Sequence, residues 1–197
     1  MAKIVVVYHS GYGHTKKAAE SIAKGAKGAN GTHVTLLSVE ELGAKDSENW
    51  AKLDEADGII FGAPTYMGSV SGPFKSFMDL TSGRWMKQAW KDKIAAGFTN
   101  SGSYSGDKFN SLVQLVTLAA QQSMIWVGTG LMPGGDGKSY AQPDHVNRLG
   151  SSLGLMTQAF NDSPEVVPGA GDLKTAELFG ARVAEVTTRF VNGHKKA

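Results

Sequence analysis

The chain contains no cysteine. That absence removes disulfides, thiolate nucleophiles, CxxC redox pairs, iron–sulfur clusters and thiolate-bound zinc together, so any redox chemistry has to be carried by a bound cofactor. An excess of one charge is lacking too: 20 Lys plus Arg stand against 18 Asp plus Glu, a net charge of +2. Such a balance leaves no electrostatic footprint for a nucleic-acid partner. No apolar run approaches the roughly 18 residues that a membrane-spanning helix needs, so no membrane span is expected. The opening MAKIVVVYHS turns polar after a short apolar run and has no small-residue cleavage site, unlike a secretory signal. The expectation is a cytoplasmic protein.

Glycine is what the chain has in excess, with 25 in 197 residues. The glycines act as punctuation, falling where apolar runs stop. A hydrophobic share of 41% against 19% charged residues is enough to build a packed core. No internal repeat or linker interrupts the chain, so residues 1–197 read as one α/β domain.

Lys3–Tyr8 is a short, unalternated β-branched run, as a strand buried on both faces would read. After it, Ala18, Ala19, Ile22, Ala23 and Ala26 recur at helical spacing, with Gly25, Gly28 and Gly31 marking the expected end of that helix. Strands are predicted at His33–Leu37, Gly58–Ala63, Ile94–Thr99 and Met124–Val127, with helices opening at Pro73, around Leu112, and from about Lys174. Strand and helix alternate, which argues for a doubly wound, five-stranded parallel sheet of flavodoxin-like order 2-1-3-4-5 with helices on both faces. One stretch is out of scale. Gly128 to Asp172 holds four of the six prolines and nine glycines, far longer than the usual ~4–6 residue connection. Within it, Leu153–Phe160 reads as one more short strand or as a resumption of the fifth.

Three segments at the expected carboxyl ends of adjacent strands could carry chemistry. The first is Ser10-Gly11-Tyr12-Gly13-His14-Thr15, between the first strand and the first helix. A helix N-terminus offers unpaired N–H groups and the positive end of the macrodipole, the glycines let the backbone curl around an anion, and Ser10 and Thr15 add hydroxyls. It is neither a Walker A loop nor the dinucleotide fingerprint, because Lys16 stands where a third glycine would be. The second is Pro64-Thr65-Tyr66-Met67-Gly68, with a flat and a polarizable side chain suited to a planar ring. The third is Thr99-Asn100-Ser101-Gly102-Ser103-Tyr104-Ser105-Gly106, rich in groups that hydrogen-bond a heterocycle's polar edge. Each also reads as an ordinary capped turn.

These three loops, together with Thr81–Trp85 (TSGRW) and Asn147–Gln158 (NRLGSSLGLMTQ), resemble the flavodoxin-like FMN-dependent reductases, and most specifically the WrbA-type NAD(P)H:quinone oxidoreductases. The resemblance spans nearly the whole chain. It implies FMN as bound cofactor, with the first loop at its phosphate, the second flanking the ring, and the third at the ring edge and ribityl chain. It further implies NAD(P)H as hydride donor and a quinone-like acceptor, with Tyr12, Trp85 and Gln122 bordering the substrate position. The flavin N5 would do the chemistry, so no obligatory catalytic side chain is expected. Two positions depart from the WrbA-type pattern: Tyr66 replaces an Arg, and Gln121 and Gln122 replace a His pair. The long glycine–proline stretch resembles a segment that reaches a neighbouring subunit, which implies a homodimer or homotetramer. The competing reading is a flavodoxin-type electron carrier without NAD(P)H turnover, and a third is a non-catalytic signalling module. His9, His14, His33, His145 and His194 show no metal-ligand spacing, so no metal is expected. Lys195 and Lys196 read as a solvated tail.

Overall fold

The computed structural model describes residues 1–43, 47–139 and 142–194, which leaves the Lys195–Lys196 tail outside the described residues. Three buried strands, β1 (Ala2–Tyr8), β3 (Gly58–Tyr66) and β5 (Ile94–Ser101), form the middle of the sheet, and β2 (Thr32–Ser38) is a half-buried edge strand beside β1. All pair in parallel, in the order β2-β1-β3-β5. Their side chains alternate between two cores. Ile4, Val6 and Tyr8 pack with α1 (His14–Gly28) and α7 (Ala170–His194), whereas Val5 and Val7 face Trp50, Phe61, Phe74, Phe77 and Trp90 on the other side. Helices α2 (Val39–Leu42), α3 (Asn49–Asp54), α4 (Gly72–Leu80), α5 (Ser82–Met86) and α6 (Lys108–Gln121) belong to that second side. Parallel strands need crossovers, and crossovers cover both faces, which is why the strands read as unbroken apolar runs.

Among the described residues the sheet has seven strands, not five. Part of the difference is β4 (Ser69–Val70), a two-residue strand that folds back antiparallel on Thr65–Tyr66. The rest is a division of the fifth strand. β6 (Ile125–Trp126) pairs with Ile94–Ala95, and β7 (Leu155–Gln158) pairs with Phe98–Ser101, on the same edge of β5. The part of the Gly/Pro-rich excursion that precedes β7 is therefore an insertion into one strand, and the predicted order holds with β6 and β7 as its two halves. Its two ends meet tightly, since a Cβ at Gly128 would lie 2.7 Å from the Ser152 carbonyl, and its far end lies against β5, where a Cβ at Gly154 would lie 2.5 Å from the Gly97 carbonyl.

One glycine signal is corrected. Gly25 does not end α1, which runs to Gly28. A Cβ at Gly25 would lie 1.7 Å from the Glu177 carbonyl of α7, and one at Gly180 would lie 2.0 Å from that of Ile22. The two helices approach at backbone contact, and only glycine permits it.

Candidate functional site

At the carboxyl ends of β1, β3 and β5 the chain opens a cleft of about 540 Å³, within the range of small-molecule pockets. Ser10, Tyr12, His14 and Thr15 line it from the first predicted loop, Pro64, Thr65 and Tyr66 from the second, and Asn100, Ser101 and Gly102 from the third. A fourth wall, Ala159 to Pro164, follows β7. It was not among the expected site residues. Its signal was the resumed strand: a segment pairing with the end of β5 must deliver its following turn beside the loop after β5.

The first loop is shaped by Gly13, whose φ of 92° is left-handed backbone, directly before α1. Ser10 Oγ accepts from the N–H groups of Gly13 and Lys16, both at 3.1 Å. Among the described residues, the N–H groups of Tyr12, His14 and Thr15 donate to no protein acceptor. With its oxygen engaged by two donors, the Ser10 hydroxyl is left to donate outward, into the cleft it lines. The cradle is closed by the fourth wall: His14 Nε2 lies 2.8 Å from the Asp162 carbonyl oxygen, and a Cβ at Gly13 would sit 3.0 Å from Pro164 Cγ.

The second segment is more ordered than a loop. Pro64, Thr65 and Tyr66 belong to β3, and Met67 and Gly68, with φ of 49° and 77°, make the turn into β4. Thr65 is buried and its hydroxyl is 2.7 Å from those of Thr99 and Ser111, so Thr65 and Thr99 tie β3 to β5 beneath the cleft. Tyr66 packs edge-on against Tyr12 with ring centroids 6.1 Å apart, and its burial pushes the phenol pKa up, with the neighbouring Tyr12 adding to the rise. Met67 is fully exposed.

In the third loop, Tyr104 meets Phe160 edge to face at 5.6 Å. Ser103 and Tyr104 line a shallow extension of the cleft shared with Gly102, Phe160 and Asn161. Ser105 and Gly106 lead into α6, and a Cβ at Gly106 would lie 2.0 Å from Ser101 Oγ. Behind the loop, Arg148 forms a bidentate pair with buried Asp172 at 2.6 and 2.9 Å. Both residues hold Gln158, through Arg148 to its side chain and through its backbone N–H to Asp172.

Trp85 and Gln122 stand elsewhere. They line a separate cavity of about 450 Å³ with Lys75, Met78, Thr81 and Gln121, between α4, α5 and α6. Gln122 Nε2 donates to the Thr81 hydroxyl at 2.9 Å, and its buried Oε1 has no partner among the described residues. Within one chain, Tyr12 is the one residue of the expected substrate set that reaches the cleft. Among the described residues, no group of three or more His, Asp and Glu is placed to hold a metal ion, and no helix is long and apolar enough to cross a membrane.

Residues 2–136 match the family described as NADPH-dependent FMN reductase. The chain is 45% identical over 186 residues to Flavodoxin FldP of Pseudomonas aeruginosa, covering 94% of this chain and 97% of that protein. It is 29% identical over 209 residues to an NAD(P)H dehydrogenase (quinone) of Aromatoleum aromaticum, covering 97% and 98%. Among solved structures, a flavodoxin, WrbA-like protein from Agrobacterium tumefaciens superimposes with a TM-score of 0.73 at 41% identity, covering 96% of this chain and 99% of that one.

Proposed function

Because the chain belongs to the NADPH-dependent FMN reductase family, we propose that the cleft holds FMN and that the protein passes two electrons from NAD(P)H to a quinone-like acceptor. The observation that carries this reading is the set of unpaired N–H groups of Tyr12, His14 and Thr15 at the start of α1, beside the outward-facing Ser10 hydroxyl. Such a set fits a phosphate: each charge-assisted hydrogen bond contributes ~1.5–3 kcal/mol, and the helix dipole adds up to ~2 kcal/mol. The left-handed backbone at Gly13, which favours glycine, turns the chain into α1 and suits an anion seated against backbone. Tyr66 and Tyr12 offer apolar faces for the ring, and Asn100 to Gly102 offer polar groups for its edge.

FMN, when bound, supplies the hydride-accepting centre, and the protein binds and orients it and its substrates. Overall, NAD(P)H gives up a hydride, a proton is taken from solvent, and the quinone leaves as the dihydroxy product with both electrons. No side chain is assigned a covalent step. The separation of Trp85 and Gln122 from the cleft fits a homo-oligomer, dimer or tetramer, in which a second copy brings those residues to the acceptor.

The decisive measurement is the visible spectrum of the purified protein with added FMN under anaerobic NADPH. Bleaching of the flavin band, with colour restored by a benzoquinone, is the expected result. A band that stays yellow under NADPH and NADH rejects the reductase reading. It would instead favour an electron carrier, the reading suggested by the relative named a flavodoxin. With a net charge of +2, this chain lacks the strong overall charge that would steer it to protein partners, which weighs against the carrier.

A further inference from the structure

We propose that Lys108 is a positioning residue that turns loop 101–106 into a wall of hydrogen-bond donors with a positive charge behind it, so that the cleft favours reduced over oxidised FMN. The inference rests on the reading of the cleft as an FMN site.

Lys108 is the first residue of α6 and its side chain is fully buried. Its ammonium donates to Ser101 Oγ at 3.0 Å and to the carbonyls of Ser103 and Tyr104 at 2.7 and 2.9 Å. The other carbonyls of the loop are engaged as well. Ser101 O accepts from Ala159 N, Gly102 O from Phe160 N and Gln158 Nε2, and Ser105 O from Lys108 N. Every carbonyl from Ser101 to Ser105 therefore has a donor. The N–H groups of Gly102 through Gly106, by contrast, donate to no protein acceptor among the described residues. Ser101 shares this polarity: its oxygen accepts from the ammonium, and its own hydrogen goes to Ser103 O over a long 3.2 Å. The backbone groups left over from Gly102 to Ser105 are therefore N–H donors, which satisfy acceptors. The polar edge of the flavin ring carries carbonyl oxygens and ring nitrogens, and reduction adds negative charge to it.

The charge behind the loop is not cancelled. Arg148 and Lys108 are two cations near one carboxylate, Asp172, and the guanidinium already holds that carboxylate bidentately. A cation at a helix N-terminus also faces the wrong end of the macrodipole. Burial brings the Lys108 ammonium down to about 8, with Asp172 pulling it up and Arg148 pushing it further down. Between about 8 and 10.5 the folded chain thus holds this proton less readily than the unfolded chain does. Keeping the charge at neutral pH costs folding free energy.

The test compares wild type with Lys108→Met and Lys108→Arg, titrated anaerobically with FMN and with dithionite-reduced FMN, alongside the midpoint potential of the bound couple. In Lys108→Met, oxidised FMN should bind about threefold more weakly and reduced FMN about thirtyfold, and that tenfold difference corresponds to a potential about 30 mV more negative. Lys108→Arg should restore the potential. The gap between wild type and Lys108→Met should be full at neutral pH and narrow as pH rises through about 8, where the ammonium is lost. If Lys108→Met does not fold, Lys108→Gln must show the same negative shift. Equal weakening of both redox forms, with the potential unmoved, makes Lys108 a structural staple and overturns the proposal alone. Failure of the wild type to bind FMN overturns both this proposal and the reading beneath it.

Discussion

At residues 10–15 the backbone is organised by a neutral hydroxyl, whereas at residues 101–106 it is organised by a buried ammonium. Ser10 Oγ collects two N–H groups and leaves three others free at the start of a fifteen-residue helix. Lys108 collects carbonyls and leaves the N–H groups free. Both loops end as donor surfaces by opposite accounting, the first lining the cleft with Ser10, Tyr12, His14 and Thr15 and the second with Ser101 and Gly102. The first takes its charge preference from the helix itself and so should bind across a wide pH range. The second borrows its preference from a side chain that can lose its proton. A phosphate, whose charge is permanent, suits the first. A ring whose charge changes with redox state suits the second.

The sharpest way to break that comparison is at Gly13. Its φ of 92° is accessible to glycine and strained for any other residue, and a Cβ there meets Pro164. Gly13→Val should unseat the free N–H groups. Losing two charge-assisted hydrogen bonds corresponds to a fall in FMN affinity of about a hundredfold or more. Flavin fluorescence titration reads this directly. Riboflavin, which lacks the phosphate, should lose little, since the ring-edge loop is untouched. Equal losses for both ligands would show that the first loop does not read the phosphate.

Ser10→Ala is the next step down. It removes the acceptor for Gly13 and Lys16 N–H groups and one outward hydroxyl, but leaves the helix end in place. FMN should weaken by about tenfold, the value of one charge-assisted bond, again with riboflavin spared. A loss as large as that of Gly13→Val would mean that the hydroxyl, rather than the helix terminus, sets the geometry.

Much of this arrangement was legible from residue types alone, and the failures have definable causes. The strand order followed from unbroken apolar runs and alternating helices, because burial on two faces leaves a mark at every residue. The first loop was legible because glycines at fixed offsets before a helix serve a backbone purpose. Lys108 was not, because a lysine opening a polar-to-helix junction reads as solvated, and its burial depends on contacts with Ser101 and with the chain around Asp172. The wall at Ala159 to Pro164 was missed for a related reason: a long insertion separates β6 from β7, and pairing across it is a tertiary event. Trp85 and Gln122 were assigned to the substrate by resemblance, and no local pattern could say that one chain places them in a different cavity.

That second cavity yields a prediction in the opposite direction. If a second copy brings Trp85 to the acceptor, Trp85→Ala should leave FMN affinity unchanged and raise the KM for a benzoquinone about tenfold, the scale of one lost aromatic contact. Steady-state kinetics at fixed NADPH would measure it. An altered FMN affinity would place Trp85 at the cofactor instead.

The smallest effect concerns His9, which joins β1 to the first loop. Its Nδ1 lies 2.8 Å from Ser71 Oγ and its Nε2 lies 3.5 Å from Glu40, and burial lowers its pKa from 6.5 while Glu40 partly offsets the drop. The folded chain therefore binds this proton less readily than the unfolded chain. Stability is unaffected above 6.5 and declines as pH falls from there towards the lower folded value. His9→Gln keeps a polar group for Ser71 and cannot titrate. Wild type should lose a few degrees more of Tm than His9→Gln on going from neutral to mildly acidic buffer, and parallel losses would clear His9 of any part.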